Sequence, residues 1–253
     1  MELAEFVSRL DGRLATDTYS DVDASANGLQ IGPNEATVEH AAFAVDAAEA
    51  TITAAADADS DVLVVHHGLS WGGIERVTDR QYERIAALVD SDIALYVSHL
   101  PLDGHQTLGN AAVIAELLDL DETEPFGSMG SVTVGQQGAA PTSVTRAELT
   151  TTLKAELETD NLQLLEFGPE HIEQVAIVTG SGTDWLDEAR EVGADTLITG
   201  EGKQQVYHRA REAEVNVILA GHYATETGGV QRLQALAEEW GLTTSYHSHP
   251  TGL

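Results

Sequence analysis

The sequence predicts an α/β fold made of two duplicated lobes, and two observations carry that expectation. Short apolar runs alternate with helical stretches along most of the chain, the rhythm of strands covered by helices. That rhythm also repeats. VEHAAFAVDAAEATI (Val38–Ile52) matches IEQVAIVTGSGTDWL (Ile172–Leu186) at an offset of 134 residues, from 38 to 172. The same offset matches DVLVVHHG (Asp61–Gly68) with DTLITGEG (Asp195–Gly202). At an offset of 123, from 98 to 221, SHLPLD (Ser98–Asp103) matches GHYATE (Gly221–Glu226). A glycine-led helix follows each, Gly109–Leu118 and Gly228–Ala237. Only two copies exist, so two facing lobes are expected rather than a solenoid.

The elements follow in order. Leu3, Phe6, Val7, Leu10 and Leu14 fall at helical spacing and define the buried stripe of a first helix. Early acids and the lack of an apolar segment distinguish this stretch from a signal peptide. Val38–Val45 reads as a strand and Ala47–Ala56 as a helix. Val62–Val65 is a short apolar run of the kind found in buried strands. Gln81–Val89 reads as a helix, Ile93–Val97 as a strand and Asn110–Leu118 as a helix. The polar stretch Glu122–Pro141 interrupts the rhythm, with one strand-like piece at Ser131–Gly135. Val144–Leu157 then reads as a helix and Leu162–Phe167 as a strand. The expected division is residues 1–121 as a first repeat, 122–168 as a middle linking subdomain, and 169–253 as a second repeat packing with the first.

Composition removes several chemistries. The chain of 253 residues has no cysteine, which excludes disulfides, thiolate zinc sites, iron–sulfur clusters and a cysteine nucleophile. Lysine plus arginine number 12 against 42 acids, a net charge of −30. Such a surface disfavours nucleic acid and anionic membranes, both of which need clustered cations. The acids run along the whole chain and only Lys154 and Lys203 are lysines, the composition of a halophilic protein. No run approaches the ~20 apolar residues of a membrane span, so a cytoplasmic location is expected.

The chemistry gathers where strands end. His66 and His67 follow Val62–Val65, His99 and Asp103 follow Ile93–Val97, and His222 and Glu226 follow Val215–Leu219. Sites in open α/β sheets form beyond the carboxyl ends of strands. Three strand ends would therefore deliver six metal-competent side chains to one edge, if the sheet is parallel there. Imidazole and carboxylate suit zinc, iron, manganese, cobalt or nickel. Five or six ligands exceed a single zinc site, which points to two divalent ions per chain sharing a carboxylate. His99 reads either as a ligand or as a group that orients one. Glu201 aligns with His67 and reads either as an acid–base group or as the start of a helix at Lys203; His105 lies close enough to Asp103 to touch substrate. TGSG (Thr179–Gly182) lacks the P-loop ending and reads as a tight turn. His247 and His249 either reach the site or lie in an exposed tail. No Gly-x-Ser-x-Gly elbow of a serine hydrolase occurs.

The sequence resembles the Nif-three-like dinuclear-metal family, also labelled GTP cyclohydrolase I type-two homologues. The motifs that carry the resemblance are NGLQIG (Asn27–Gly32), HHGLSWGG (His66–Gly73), SHLPLDGHQTLGNA (Ser98–Ala111), TGE (Thr199–Glu201) and GHYATETGG (Gly221–Gly229), which span nearly the whole chain. The resemblance implies two intertwined α/β lobes with mixed sheets flanked by helices, and a toroidal homohexamer with metal pairs facing an internal cavity. Matched by motif, His66, His67, Asp103, His222 and Glu226 are the metal ligands, with His99 close to them. The chain has the family's short form, and its tail YHSHPTGL departs from an Asp-x-Pro-rich ending. The activity implied is ring opening of GTP by metal-activated water. The expected protein is a metal-dependent hydrolase for a small anionic or nucleotide-like substrate, with Glu201, His99 or His105 moving protons. A two-metal phosphoesterase and a metal-binding scaffold without turnover are the alternatives.

Overall fold

The computed structural model describes residues 1–33 and 35–253 and resolves into two compact units. The first takes Met1–Leu102 and Val230–His249; the second takes Asp103–Gly229 and Pro250–Leu253.

The strands of the first unit are β1 (Gly28–Ile31), β2 (His40–Asp46), β3 (Val62–His67), β4 (Ala94–Val97) and β11 (Thr243–Tyr246). They form one sheet in the order β1-β4-β3-β2-β11, parallel except for β1, which runs antiparallel to β4. Val62–Val65 of β3 is buried throughout, as a central strand covered on both faces requires. Helices α1 (Leu3–Leu14), α2 (Glu49–Asp57) and α3 (Asp79–Asp90) flank the sheet. On α1, Leu3, Phe6, Leu10 and Leu14 are buried at spacings of three and four, while Val7 at the edge of the stripe is half-buried. Phe6 meets Tyr96 and Trp240 edge-on, at 6.5 and 6.0 Å between ring centroids.

The second unit holds β5 (Asp121–Met129), β6 (Val132–Thr145), β7 (Gln163–Leu165), β8 (His171–Ile177), β9 (Thr196–Thr199) and β10 (Asn216–Leu219). Their order is β5-β6-β8-β9-β10-β7. β8, β9 and β10 are parallel; β5, β6 and β7 pair antiparallel with their neighbours. Helices α5 (Asn110–Leu117), α6 (Arg146–Glu156), α7 (Leu186–Glu191) and α8 (Gln205–Ala213) belong to this unit. Ile114, Leu149, Leu153, Ile177, Ile198 and Ile218 meet in its core. The short α4 (Leu100–Asp103) crosses the division, and α9 (His222–Glu239) gives its first turns to the second unit and the rest to the first.

The sheets are mixed and flanked by helices, as expected, but the boundaries fall elsewhere. Residues 122–168 form no separate linking subdomain: β5, β6, α6 and β7 complete the second unit. β5 escapes a pattern reading because Asp121–Pro125 is exposed and polar. As the outer strand of its sheet it tolerates a proline and carries acids that discourage further pairing.

The duplication is visible atom by atom. Asp61 Oδ2 accepts the backbone N–H groups of Glu39 and His40 at 2.7 and 2.9 Å. Asp195 Oδ2 accepts those of Glu173 and Gln174 at the same 2.7 and 2.9 Å. In each unit a short antiparallel strand, β1 or β7, also edges the parallel ones, four in the first unit and three in the second. Among the described residues no helix is long and apolar enough to cross a membrane.

Candidate metal centre

The predicted donors come from two sheets, not from one sheet edge, because each copy of the duplication builds its own sheet. In the first unit, β3 continues through His67, which pairs with Asp46. The strand is therefore two residues longer than its apolar run. His66 is fully buried. Although neighbours on a strand ordinarily face opposite ways, the His66 and His67 rings lie 4.6 Å apart. His99, between β4 and α4, lies 5.1 Å from the His66 ring and 5.7 Å from that of His67. The three residues bring one nitrogen each within 4.8 Å of the others.

Their partners select the tautomer of the neutral ring. His66 Nδ1 donates to the Ser98 carbonyl at 2.8 Å, His67 Nδ1 to Asp46 Oδ1 at 2.9 Å, and His99 Nδ1 to Asp23 Oδ1 at 2.9 Å. A carbonyl or carboxylate oxygen only accepts, so Nδ1 carries the hydrogen and Nε2 of the neutral ring carries the lone pair. That is the donor form a divalent transition metal takes from histidine. Asp23 also receives the N–H groups of Ser25 and Leu100 and the Asn27 amide, at 2.8, 3.0 and 2.8 Å. Burial pushes the Asp23 carboxyl up, but the hydrogen bond and charge of His99, with Asn27 and Ser25, outweigh it and hold it below its ordinary value. Asn27 Oδ1 in turn accepts the His99 N–H at 2.8 Å, which is what the first residue of NGLQIG does here.

The second unit supplies carboxylates. Asp103 ends α4, is buried, and its Oδ1 accepts the Asn110 amide at 2.8 Å and the Thr179 hydroxyl at 3.0 Å. His222 begins α9 and Glu226 lies one turn on, so the two share a helix face. His222 sits between acids: Nε2 is 3.1 Å from Glu226 Oε1 and Nδ1 is 3.2 Å from Glu201 Oε1. The hydrogen bond to Glu226 drives the His222 pKa up to about 9; burial opposes it, and the charges of both acids support it. Without metal, a pKa of about 9 favours the imidazolium form of His222 at neutral pH, so a metal held by this ring would have to displace its proton.

Thr179–Gly182 is the tight turn the sequence suggests. Gly180 sits at φ 59°, its carbonyl accepts the N–H groups of Gly200 and Glu201, and its own N–H donates to Thr225. A methyl group on Gly180 would overlap Glu226 Oε1 and lie 3.1 Å from His222 Nε2. The empty side-chain position of Gly180 is therefore what gives both donors room.

The three predicted acid–base residues have distinct places. His99 belongs to the histidine set. Glu201 precedes α8 rather than starting a helix at Lys203, and its carboxylate holds His222 Nδ1. His105 Nδ1 accepts the N–H groups of Thr107 and Leu108 at 3.2 and 3.0 Å, which leaves the ring proton on Nε2 in the neutral form. Of the tail histidines, His247 joins a chain through Ser245 to His40, with links of 3.1 and 3.0 Å, and His249 is exposed. Asp23 and Asp46 went unnoticed in the sequence, and Asn110 and Thr179 read there only as parts of a helix and a turn, not as partners of Asp103. No spacing marks Asp23, Asp46 or Thr179, because each reaches its partner from a distant part of the chain.

The family model described as Duf34/NIF3 (NGG1p interacting factor 3) matches residues 1–248. A protein of Halobacterium salinarum named GTP cyclohydrolase 1 type 2 homolog is 52% identical, with both chains covered in full. A protein of the same name from Pyrococcus abyssi is 42% identical, again over the whole of both. Among solved structures, TTHA1606 from Thermus thermophilus is similar with a TM-score of 0.91 and 37% identity, both chains being covered in full.

Proposed function

From the premise that this chain belongs to the Duf34/NIF3 family, we propose that it is a cytoplasmic, metal-dependent hydrolase. In this reading two divalent transition-metal ions bind through His66, His67, Asp103, His222 and Glu226, and the substrate is small, anionic and nucleotide-like. The observation that carries it is the hydrogen bonding of the histidines: three rings in one unit each have Nδ1 engaged with an acceptor. Bound there, the ions would supply Lewis-acid activation of water and a positive focus for an anion.

The chain's own residues divide the remaining work. Ser98, Asp46 and Glu201 orient His66, His67 and His222. Asn110 and Thr179 fix one oxygen of Asp103. His99, polarised by Asp23, holds or moves a proton at Nε2, and His105 offers its Nε2 proton as a donor. The name borne by the relatives suggests ring opening of GTP as the first reaction to assay. The resemblance also suggests a homohexamer, and the composition a halophilic surface.

Elemental analysis after loading with zinc, manganese, iron, cobalt or nickel should find two ions per chain; fewer than about one would sink the two-metal reading. The loaded protein is then assayed against GTP and a nucleotide panel at high salt. Metal-dependent ring opening supports the cyclohydrolase reading. Phosphate release would replace it with a phosphoesterase, and no turnover with any metal would leave a scaffold. Light scattering at high salt tests the hexamer, and a monomer mass would refute it.

A further inference from the structure

Trp71 stands beside the histidines without being needed to hold them. Its ring centroid is 4.9 Å from that of His99, nearly perpendicular at 82°, and 6.0 Å from that of His67. Yet 47% of the residue remains exposed. His67 and His99 are already oriented at Nδ1 by Asp46 and Asp23, so neither ring requires an indole to fix it. An indole used only for packing would be expected to bury more of its surface.

The backbone beneath Trp71 is pinned on both sides. Trp71 forms an antiparallel bridge with Ser25. The Ala26 N–H donates to Ser70 O at 3.2 Å, and the Gly72 N–H to Ala24 O at 2.6 Å. Just before it, the Leu69 N–H donates to Gln30 Oε1 at 2.8 Å, and the Gln81 amide donates to the Leu69 carbonyl at 3.0 Å. The partner segment, residues 24–26, adjoins Asp23, which holds His99. One short stretch of chain thus fixes an open aromatic ring and a histidine together. Ile74 and Val77, both 44% exposed, extend the apolar surface along the same segment.

We propose that Trp71 is the stacking surface for a flat heteroaromatic ring of the substrate, held beside the histidines. A half-exposed indole on a pinned backbone suits a planar ring and does little for a ribose or a phosphate. The inference rests on reading the histidines as part of the active site, and it adds which residue receives the ring of a nucleotide-like substrate.

The test compares two probes, GTP and inorganic triphosphate, binding to metal-loaded protein by calorimetry at high salt, with metal content read on the same samples. Wild-type protein should bind GTP more tightly than triphosphate. Trp71→Ala should raise the GTP Kd by about tenfold or more, leave the triphosphate Kd within about twofold, and leave metal content unchanged. Trp71→Phe should recover most of the GTP affinity. Trp71→Leu, apolar but not flat, should not, and it keeps the question open to refutation if the alanine variant fails to fold. Unchanged GTP affinity in the alanine and leucine variants would overturn the proposal, as would equal recovery by leucine and phenylalanine. Loss of metal along with both probes would make Trp71 a buttress of the histidines instead. If wild-type protein binds neither probe, the stacking surface is refuted; the metal content of those samples then decides separately whether the metal reading stands.

Discussion

The two units use the same scaffold to opposite chemical ends. Both place a strand after an aspartate that accepts two N–H groups from the neighbouring strand, Asp61 in one and Asp195 in the other. At the end of that strand the first unit offers His66 and His67, each with Nδ1 hydrogen-bonded to an acceptor. The second offers Gly200 and Glu201, and its one candidate histidine ligand, His222, is held between two acids. Imidazole donors dominate the first unit and carboxylates the second. Duplication kept the strands, their backbone clamps and a histidine followed four residues on by an acid, His99 and Asp103 in one copy and His222 and Glu226 in the other, while His66-His67 is matched by Gly200-Glu201.

This contrast can be broken most forcefully at the donors. Replacing His66 in the first unit or Glu226 in the second by alanine should each abolish stable metal uptake, a loss beyond the roughly 10–100-fold typical of orienting partners. Elemental analysis of the purified variants reads this. Uptake unchanged in either would remove that residue from the ligand set.

Gly180→Ala comes next. It forces a side chain into a left-handed conformation, at about 1 kcal/mol, and crowds Glu226 and His222. Metal affinity should fall by tenfold or more while circular dichroism stays native. The corresponding test in the first unit, Asp46→Asn, should cost about 10–100-fold in metal affinity by weakening the hold on His67 Nδ1. An equal loss from Glu201→Gln would show that the two units orient their histidines alike; because Glu201 is half exposed, a smaller loss is expected.

Acidity separates the units more gently. The raised pKa of His222, about 9, stabilises the metal-free protein fully below its unfolded value near 6.5. That contribution fades as pH rises toward 9 and His222 loses its proton. Thermal unfolding of metal-free protein should therefore show a decline over this window that is absent in His222→Gln. Metal affinity should move the other way, rising with pH as the competing proton leaves. A metal affinity independent of pH between 6.5 and 9 would contradict the placement of His222 between two acids.

The strands, the duplication and the donor residues were legible because each rests on local pattern: buried runs such as Val62–Val65, and repeated blocks ending in histidine or acid. The register of the second motif shows where local reading stops. Ser98 donates to Val65 O, and the matching bond in the second unit comes from Ala220 to Thr199 O, one position before the sequence alignment places it. Gly221, at φ 98°, is the extra residue that restores His222 to the position of His99. The orienting acids Asp23 and Asp46 were illegible for a different reason. Nothing in their neighbourhood marks them, and their role exists only once β2, β3 and the loop before β1 are assembled. β5 was missed because outer strands are polar by necessity.

The first unit is not contiguous along the chain. Its outer strand β11 enters beside β2 from far downstream, so that His40 and Ser245, 205 residues apart, share a hydrogen bond. A nascent chain must therefore carry β2 with an open flank while nearly all of the second unit is made. Closing so long a loop is entropically slow, which makes this pairing a late event in folding. A premature stop shortly before Thr243 would remove few residues yet leave a parallel strand edge exposed, and its visible consequence would be aggregation rather than a merely shortened protein.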